Sequence, residues 1–310
     1  MLYNRIFLRL IVLFKKMKLF DFMRMFYNPS TIVTTLRDHG LLRHDMPCPN
    51  CGDRMHERSY NNSDRLMFFC DKRTCRRKKT IRSSSFFENS RLALCDSMLF
   101  LHLWSRNYSE QLIIDDFSFC KKTVVDWSRF CRDLCVLDFE SDTTLIGGPG
   151  CVVEIDETMA VKRKYNRGRM LNAGWLFGGI ERRNDSVFRC FMCLVYDRSE
   201  AHLTHIIRQH VAPGTRIMTD GWSAYRNFGS MGYLHNVVIH EDNFVAPDDP
   251  SIHTQRIEAT WCSLKRLIRA HGTNKGSYYL EYICEYLFRR KHSDVFDALL
   301  RVIRQKYNLL

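Results

Sequence analysis

The chain lacks a membrane-spanning run at the place where one would be sought first. Its opening residues, MLYNRIFLRLIVLFKKMKLF, hold only LIVLF uninterrupted, with Arg9 before it and Lys15 and Lys16 after it. A spanning helix needs about 20 apolar residues. No small-residue cleavage site follows, so a secretory signal is not expected and the protein is read as not secreted. Internal repeats and low-complexity tracts are missing too. A content of 45% hydrophobic and 26% charged residues is an ordinary globular balance that argues against disorder. Negative charge is in short supply: 34 Asp plus Glu face 47 Lys plus Arg, a net +13. Such an excess suits a polyanionic partner, nucleic acid first and anionic membrane second. The membrane reading rests only on the basic N-terminal segment, and no membrane partner is expected. Without a secretory signal the 13 cysteines should be reduced, available for metal binding or core filling.

A length of 310 residues accommodates one large domain or two to three small ones. Composition divides the chain into a basic helical segment (1–46), a Cys-, Arg- and Lys-rich stretch (47–85) and a region of helical periodicity (86–142). TTLIGGPG at 143–150 reads as a Gly/Pro linker, 151–275 alternates strands and helices, and 276–310 reads as C-terminal helices.

Cys48-Pro-Asn-Cys51-Gly and Cys70-Asp-Lys-Arg-Thr-Cys75 form two knuckles. Zinc takes four soft ligands in a tetrahedron, and two CxxC-like turns about 15–20 residues apart describe a zinc ribbon. His56 lies between the knuckles and is read as a surface residue, while Cys190 and Cys193 inside a later strand are read as core. Arg73, Arg76, Arg77, Lys78, Lys79 and Arg82 gather on or after the second knuckle. They suit phosphate contact, with a solvated loop as the rival explanation.

YSEQLIIDDFSFCKKTVVDWSRFCRDLC (108–135) has a helix-turn-helix rhythm. Ser109 caps a short first helix, FSFC makes the turn, and a second helix starts at Lys121. In that second helix Val124, Trp127 (or Ser128) and Cys131 take the core-facing positions, which leaves Lys121, Lys122 and Arg129 for DNA. Plain packing of two helices would give the same rhythm.

From 151 the order of elements carries more. CVVEID is strand one, WLFGGIER (175–182) strand two and VFRCFMCLVY (187–196) strand three. SEAHLTHIIRQHV (199–211) is a helix capped by Ser199, TRIMTD (215–220) strand four, WSAYRNF a short helix and HNVVIH (235–240) strand five. QRIEATWCSLKRLIRA (255–270) is the closing helix. Three strands, a helix, then alternating strands and helices is the order of an RNase H-like α/β domain, a mixed sheet with flanking helices. On that scheme Asp156 ends strand one, Asp220 ends strand four and Glu258 starts the last helix. There Ile257, Trp261, Leu264 and Ile268 form an apolar stripe, with Glu258, Cys262, Lys265 and Arg269 beside it. Three converging carboxylates are a ligand set for two Mg²⁺ ions, or Mn²⁺, in two-metal phosphodiester chemistry. Glu154 shares the face of Asp156 by alternation and remains its rival, whereas Glu157 points the other way. Behind strand one, Lys162, Arg163, Lys164, Arg167 and Arg169 offer a positive run for the DNA backbone.

Across about Cys48 to Tyr286 the sequence resembles the Merlin superfamily of DDE transposases and their bacterial insertion-sequence relatives. The resemblance is carried by the two knuckles, GGPGCVVEIDET, KRKYNRGR, WLFGGIERR, TDGWSAY and HTQRIEATWCSLKR. It implies an RNase H-like catalytic domain, a divalent metal, and cut-and-paste transposition at terminal inverted repeats of double-stranded DNA. Position by position it implies Asp156, Asp220 and Glu258 as the triad and Lys265 as the lysine that follows the glutamate. At Ile239-His240-Glu241 the sequence departs from the Asn-His-Ser that relatives tend to carry. Joining two DNA ends calls for a homodimer or higher oligomer. Such a protein works in the nucleus of a eukaryotic host, otherwise in the cytoplasm or nucleoid. The alternative is a domesticated DNA-binding protein that keeps ribbon and helices without catalysis; three converging acids argue against it.

Overall fold

The computed structural model describes residues 18–26, 28–159, 174–182, 188–238, 253–271 and 279–307. The chain forms two compact units, Met1–Leu137 with Asp294–Leu310, and Asp138–Ser293. The C-terminal helices are thereby shared out, one to each unit.

In the first unit, helices α1 (Leu19–Phe26) and α2 (Pro29–Asp38) lead into a three-stranded antiparallel ribbon, β1 (His56–Ser59), β2 (Leu66–Phe69) and β3 (Lys78–Thr80). Helix α3 (Leu94–Ser105) is buried almost all round and follows the ribbon. Next comes α4 (Glu110–Phe117), where Ser109 Oγ accepts from the Leu112 backbone N–H at 3.2 Å, the side-chain cap the sequence implied. Ser118, left-handed at φ 58°, ends α4, and α5 (Lys121–Ser141) starts three residues later. Val124, Trp127, Ser128 and Cys131 are buried on α5, while Lys121, Lys122 and Arg129 are exposed. The two helices thus have the predicted spacing and the predicted inner face. The last helix, α9 (Val295–Tyr307), buries Phe296, Leu299, Leu300 and Ile303 in this unit.

The second unit is built on a five-stranded mixed sheet. Strands β5 (Val152–Met159), β6 (Trp175–Arg182) and β7 (Cys190–Val195) form an antiparallel meander. Strand β9 (Arg216–Asp220) lies parallel to β5, and β10 (Leu234–Val238) lies parallel to β9, giving the order β10-β9-β5-β6-β7. Helix α6 (Glu200–His210) connects β7 to the short β8 (Val211–Ala212) ahead of β9. Ser199 occupies the N-cap position of α6, but its hydroxyl donates to Asp197 Oδ2 at 2.6 Å instead of capping. The stretch WSAYRNF holds its short helix as a 3₁₀ turn, Ser223–Tyr225, and a second 3₁₀ turn follows at Gly229–Met231.

Both faces of the sheet are covered, which is why its strands are apolar on both sides. On one face Val153, Ile155, Phe177 and Ile217 pack with Leu203, Ile206 and Ile207 of α6 and with Tyr225 and Phe228. On the other, Leu176, Ile180 and Met192 pack with Ile257, Trp261 and Leu264 of α7 (Gln255–Ala270) and with Ile283 and Leu287 of α8 (Tyr279–Lys291). The Gly/Pro stretch is strapped down. Ile146–Gly147, here β4, pairs with β8, Gly147 N–H donates to Glu181 Oε2 at 3.0 Å, and Gly148 N–H donates to Thr215 Oγ1 at 2.8 Å. Among the described residues no helix is long and apolar enough to cross a membrane.

Candidate active site and metal centre

Strand β5 and helix α7 meet residue by residue along one line. Glu154, Asp156 and Thr158 share a face of the strand, two residues apart, or about 6.6 Å per step. Four residues of helix rise about 6 Å, so every second strand residue meets every fourth helix residue. Glu154 Oε2 accepts from the backbone N–H groups of Arg256 (2.8 Å) and Ile257 (3.0 Å) at the start of α7. Asp156 Oδ2 accepts from Trp261 Nε1 at 3.0 Å. Lys265 Nζ donates to Thr158 Oγ1.

This line separates the two rival acids. Glu154 is fully buried, paired with Arg182 Nε at 2.5 Å and spent on the first turn of α7. Arg182 also donates to the His253 carbonyl just before the helix. A carboxylate at a helix N-terminus satisfies otherwise orphaned N–H groups and complements the helix dipole. Glu154 therefore anchors the helix that carries Glu258.

Asp156 differs in its surroundings. The parallel register pairs Val152 with Arg216, Val153 with Ile217 and Glu154 with Met218. Continued for two residues, it sets Asp156 beside Asp220 on the same face. Burial pushes the Asp156 carboxyl up to about 7; the Glu157 backbone N–H opposes that rise, and the Asp220 charge adds to it. Among the described residues no lysine, arginine or histidine forms an ion pair with Asp156 or Asp220. Two adjacent carboxylates in a low-dielectric setting without a basic partner are a donor set for a hard divalent cation. The approach depends on Gly178, the antiparallel partner of Asp156. A Cβ there would lie 2.6 Å from the Phe191 carbonyl oxygen and 2.8 Å from Trp261 Cη2, so glycine lets the indole lie against the sheet.

Glu258 stands one helical turn before Trp261, on the edge of α7 next to the Asp156 contact. Its Oε1 accepts from the Thr254 hydroxyl at 2.9 Å. The structure thus brings Asp156, Asp220, Lys265 and the α7 position of Glu258 to one end of the sheet. Glu157 takes the opposite face, as alternation implies: its Oε2 accepts from Arg198 Nη2 at 3.2 Å. Burial raises the Glu157 pKa, opposed by Tyr225 and Arg198. Tyr225 Oη and Glu157 Oε1 nonetheless form no hydrogen bond of normal geometry. The positive run Lys162, Arg163, Lys164, Arg167 and Arg169 lies outside the described residues, as does Ile239-His240-Glu241.

In the first unit the thiols of Cys48, Cys51, Cys70 and Cys75 lie within 4.8 Å of one another. Two pairs, Cys48–Cys75 and Cys51–Cys70, have sulfurs 3.5 Å apart. A tetrahedron with Zn–S bonds of about 2.3 Å has edges of about 3.8 Å, so the four thiols suit such an ion. The unequal spacing of the knuckles has a local cause. In the first, the Gly52 N–H returns to the Cys48 carbonyl, with Gly52 at φ +76°. In the second, the Arg76 N–H returns to the Lys72 carbonyl, with Arg76 at φ 47°. The turn is the same, but ligand Cys70 sits two residues ahead of it. The Asn50 side-chain amide, then the Arg77 backbone N–H, lower the Cys75 pKa to about 6, whereas Cys51 is raised to about 12 and Cys70 is raised as well, as four crowded thiols without a cation cannot all ionise together.

Of the basic residues nearby, Arg76, Arg77 and Lys78 are exposed and Lys79 half-buried. Arg82 leaves the phosphate-contact set. It is buried, bound to Asp64 through Nε at 2.6 Å, and donates to the Ser90 and Leu92 carbonyls. Its spacing from the knuckle looked like that of its neighbours; only the fold reveals the carboxylate. His56 is exposed on β1, outside the thiol cluster.

No curated protein and no solved structure matches this chain. Residues 140–291, just under half of the chain, match the family model described as the ISXO2-like transposase domain. That stretch contains the sheet, Asp156, Asp220 and α7, and the match supports placing this chain with the DDE transposases.

Proposed function

We propose that the protein is a DNA transposase of the Merlin type, which cleaves phosphodiester bonds at terminal inverted repeats and joins the freed 3′-hydroxyl ends to target DNA. The observation that carries this reading is that Asp156 and Asp220 lie on adjacent parallel strands, near enough for the Asp220 charge to add to the rise of the Asp156 carboxyl, with Glu258 on α7, the helix packed against the Asp156 strand. The RNase H-like reading of the unit is supported by its strand order and by the parallel β5–β9 pair inside a mixed sheet. Asp156, Asp220 and Glu258 would hold Mg²⁺ or Mn²⁺, which when bound supplies activation of the attacking oxygen and stabilisation of the leaving one. Trp261 fixes the Asp156 carboxylate by its indole N–H, and Glu154 fixes the helix. Lys265, hydrogen-bonded to Thr158 two strand residues from Asp156, would meet a phosphate oxygen.

The remaining parts serve DNA. The Cys48, Cys51, Cys70 and Cys75 set would hold a structural Zn²⁺. Arg76, Arg77, Lys78, Lys79, Lys121, Lys122 and Arg129, with the run from Lys162 to Arg169, would contact phosphates. Two DNA ends require at least a homodimer. The test is nicking of an inverted-repeat duplex taken from the DNA flanking the gene, with Mg²⁺ or Mn²⁺. Wild type should nick, and Asp220→Asn should lose activity by several orders of magnitude while keeping its circular dichroism spectrum. Equal activity of the two proteins would overturn the assignment.

A further inference from the structure

An Arg198-centred stack, held by Glu157 and Trp175 on the α6 face of the sheet, reaches Trp222 just past the end of the Asp220 strand. Its guanidinium carbon lies 3.8 Å from the Trp175 ring centroid and 4.4 Å from that of Trp222, so the cation is sandwiched between two indoles. Glu157, 3% exposed, holds the same guanidinium at 3.2 Å. Trp175 is half-buried against the core on the α6 side of the sheet. Trp222 is 42% exposed although it sits two residues after Asp220. Its backbone N–H donates to Asp220 Oδ1 at 3.1 Å, so the residue that carries the open indole is tied directly to that carboxylate. A core role does not explain an indole left this open. Buried charge pairing and an aromatic partner are instead spent on holding it still, backed by a cation.

From this geometry we infer that Trp222, stiffened by Arg198 and Glu157, is a stacking platform for one unpaired nucleobase of the strand being processed. The inference rests on the DNA-processing function proposed above and adds to it the capture of a base out of the duplex. A planar π-system offers every base a face and is therefore tolerant of sequence. Binding the base here would hold the adjacent phosphodiester at Asp220 and keep it from rejoining the duplex.

The test uses the full-length, zinc-loaded protein and three labelled duplexes of one sequence: blunt, with three unpaired thymines at one 3′ end, and with three abasic sites there. Affinities are read by fluorescence anisotropy in Ca²⁺, so that the result does not depend on cleavage. Wild type should prefer thymine over abasic ends by about 5- to 150-fold, the range expected of one stacked base. Trp222→Ala should lose that preference and Trp222→Phe should keep most of it, with blunt-duplex affinity equal in all three proteins. Equal binding of thymine and abasic ends by wild type overturns the platform alone, as does a Trp222→Ala protein that keeps the preference. Binding to none of the duplexes overturns the platform and the DNA-processing function together.

Discussion

Replacing Asp156 by Asn should stabilise the second unit above neutral pH, an unusual outcome for a buried residue. Asn keeps the shape and an oxygen for Trp261 Nε1 but removes the charge. In the folded chain Asp156 is raised from 3.8 to about 7. At about 1.4 kcal/mol per pH unit, that rise corresponds to about 4 kcal/mol. The sign follows from proton counting: between pH 4 and 7 the folded state holds a proton that the unfolded chain has released, so stability falls as pH rises. Below pH 4 both states are protonated and the charge costs nothing; above pH 7 the full cost is present. For a unit of this size, 4 kcal/mol is roughly 10 °C in Tm. Scanning calorimetry in magnesium-free buffer, with zinc retained, should show wild type and Asp156→Asn converging near pH 4. They should be separated by roughly 10 °C near pH 8, with the variant higher. Millimolar Mg²⁺ should raise wild type at pH 8 and leave the variant unmoved. Parallel pH profiles for the two proteins would refute both the raised pKa and the donor set built on it.

Glu154→Ala strands Arg182 and uncovers the first turn of α7, a loss of about 3–5 kcal/mol for a buried pair; amide hydrogen exchange should show α7 losing protection, and unchanged exchange there would deny Glu154 its anchoring role. Gly178→Ala should cost about 1–3 kcal/mol through overpacking and push Trp261 away from Asp156. Its signature is a moved indole N–H resonance of Trp261, and an unmoved one would show that the sheet can yield without disturbing the site. Cys75→Ser should abolish zinc binding by the purified protein, measured by elemental analysis, and unfold the ribbon; retained zinc would mean that the thiol cluster is not the metal centre.

The parts most readable from sequence were those set by local periodicity; Asp220 does end its strand, but Asp156, expected to end strand one, sits inside a strand that runs on to Met159. Strand β6 and helix α7 have the bounds that the apolar pattern implied, because each carries a strong repeat ended by Arg182 or by the break after Ala270. The short helix expected at WSAYRNF is a single 3₁₀ turn, Ser223–Tyr225, rather than an α-helical one. There Tyr225 and Phe228 are drawn into the core beside Phe177, and tertiary burial outweighs helical propensity over so few residues. The difference between Glu154 and Asp156 was not readable, because alternation gives both the same face and the same carboxylate chemistry. What separates them is long-range: the N-terminus of α7 is about a hundred positions away in the chain yet adjacent to Glu154 in space. The same holds for Arg82, whose partner Asp64 lies across the ribbon. One local clue to the site did exist. Gly178-Gly179 in the middle of a strand is costly unless something must lie against it, and Trp261 is what lies against Gly178. A glycine in mid-strand thus marks where a bulky side chain from another element must approach, although only the register shows which residue it faces. That register pairs Gly178 with Asp156 and Ile180 with Glu154, so the approach of Trp261 is made at Asp156, the acid of the proposed site.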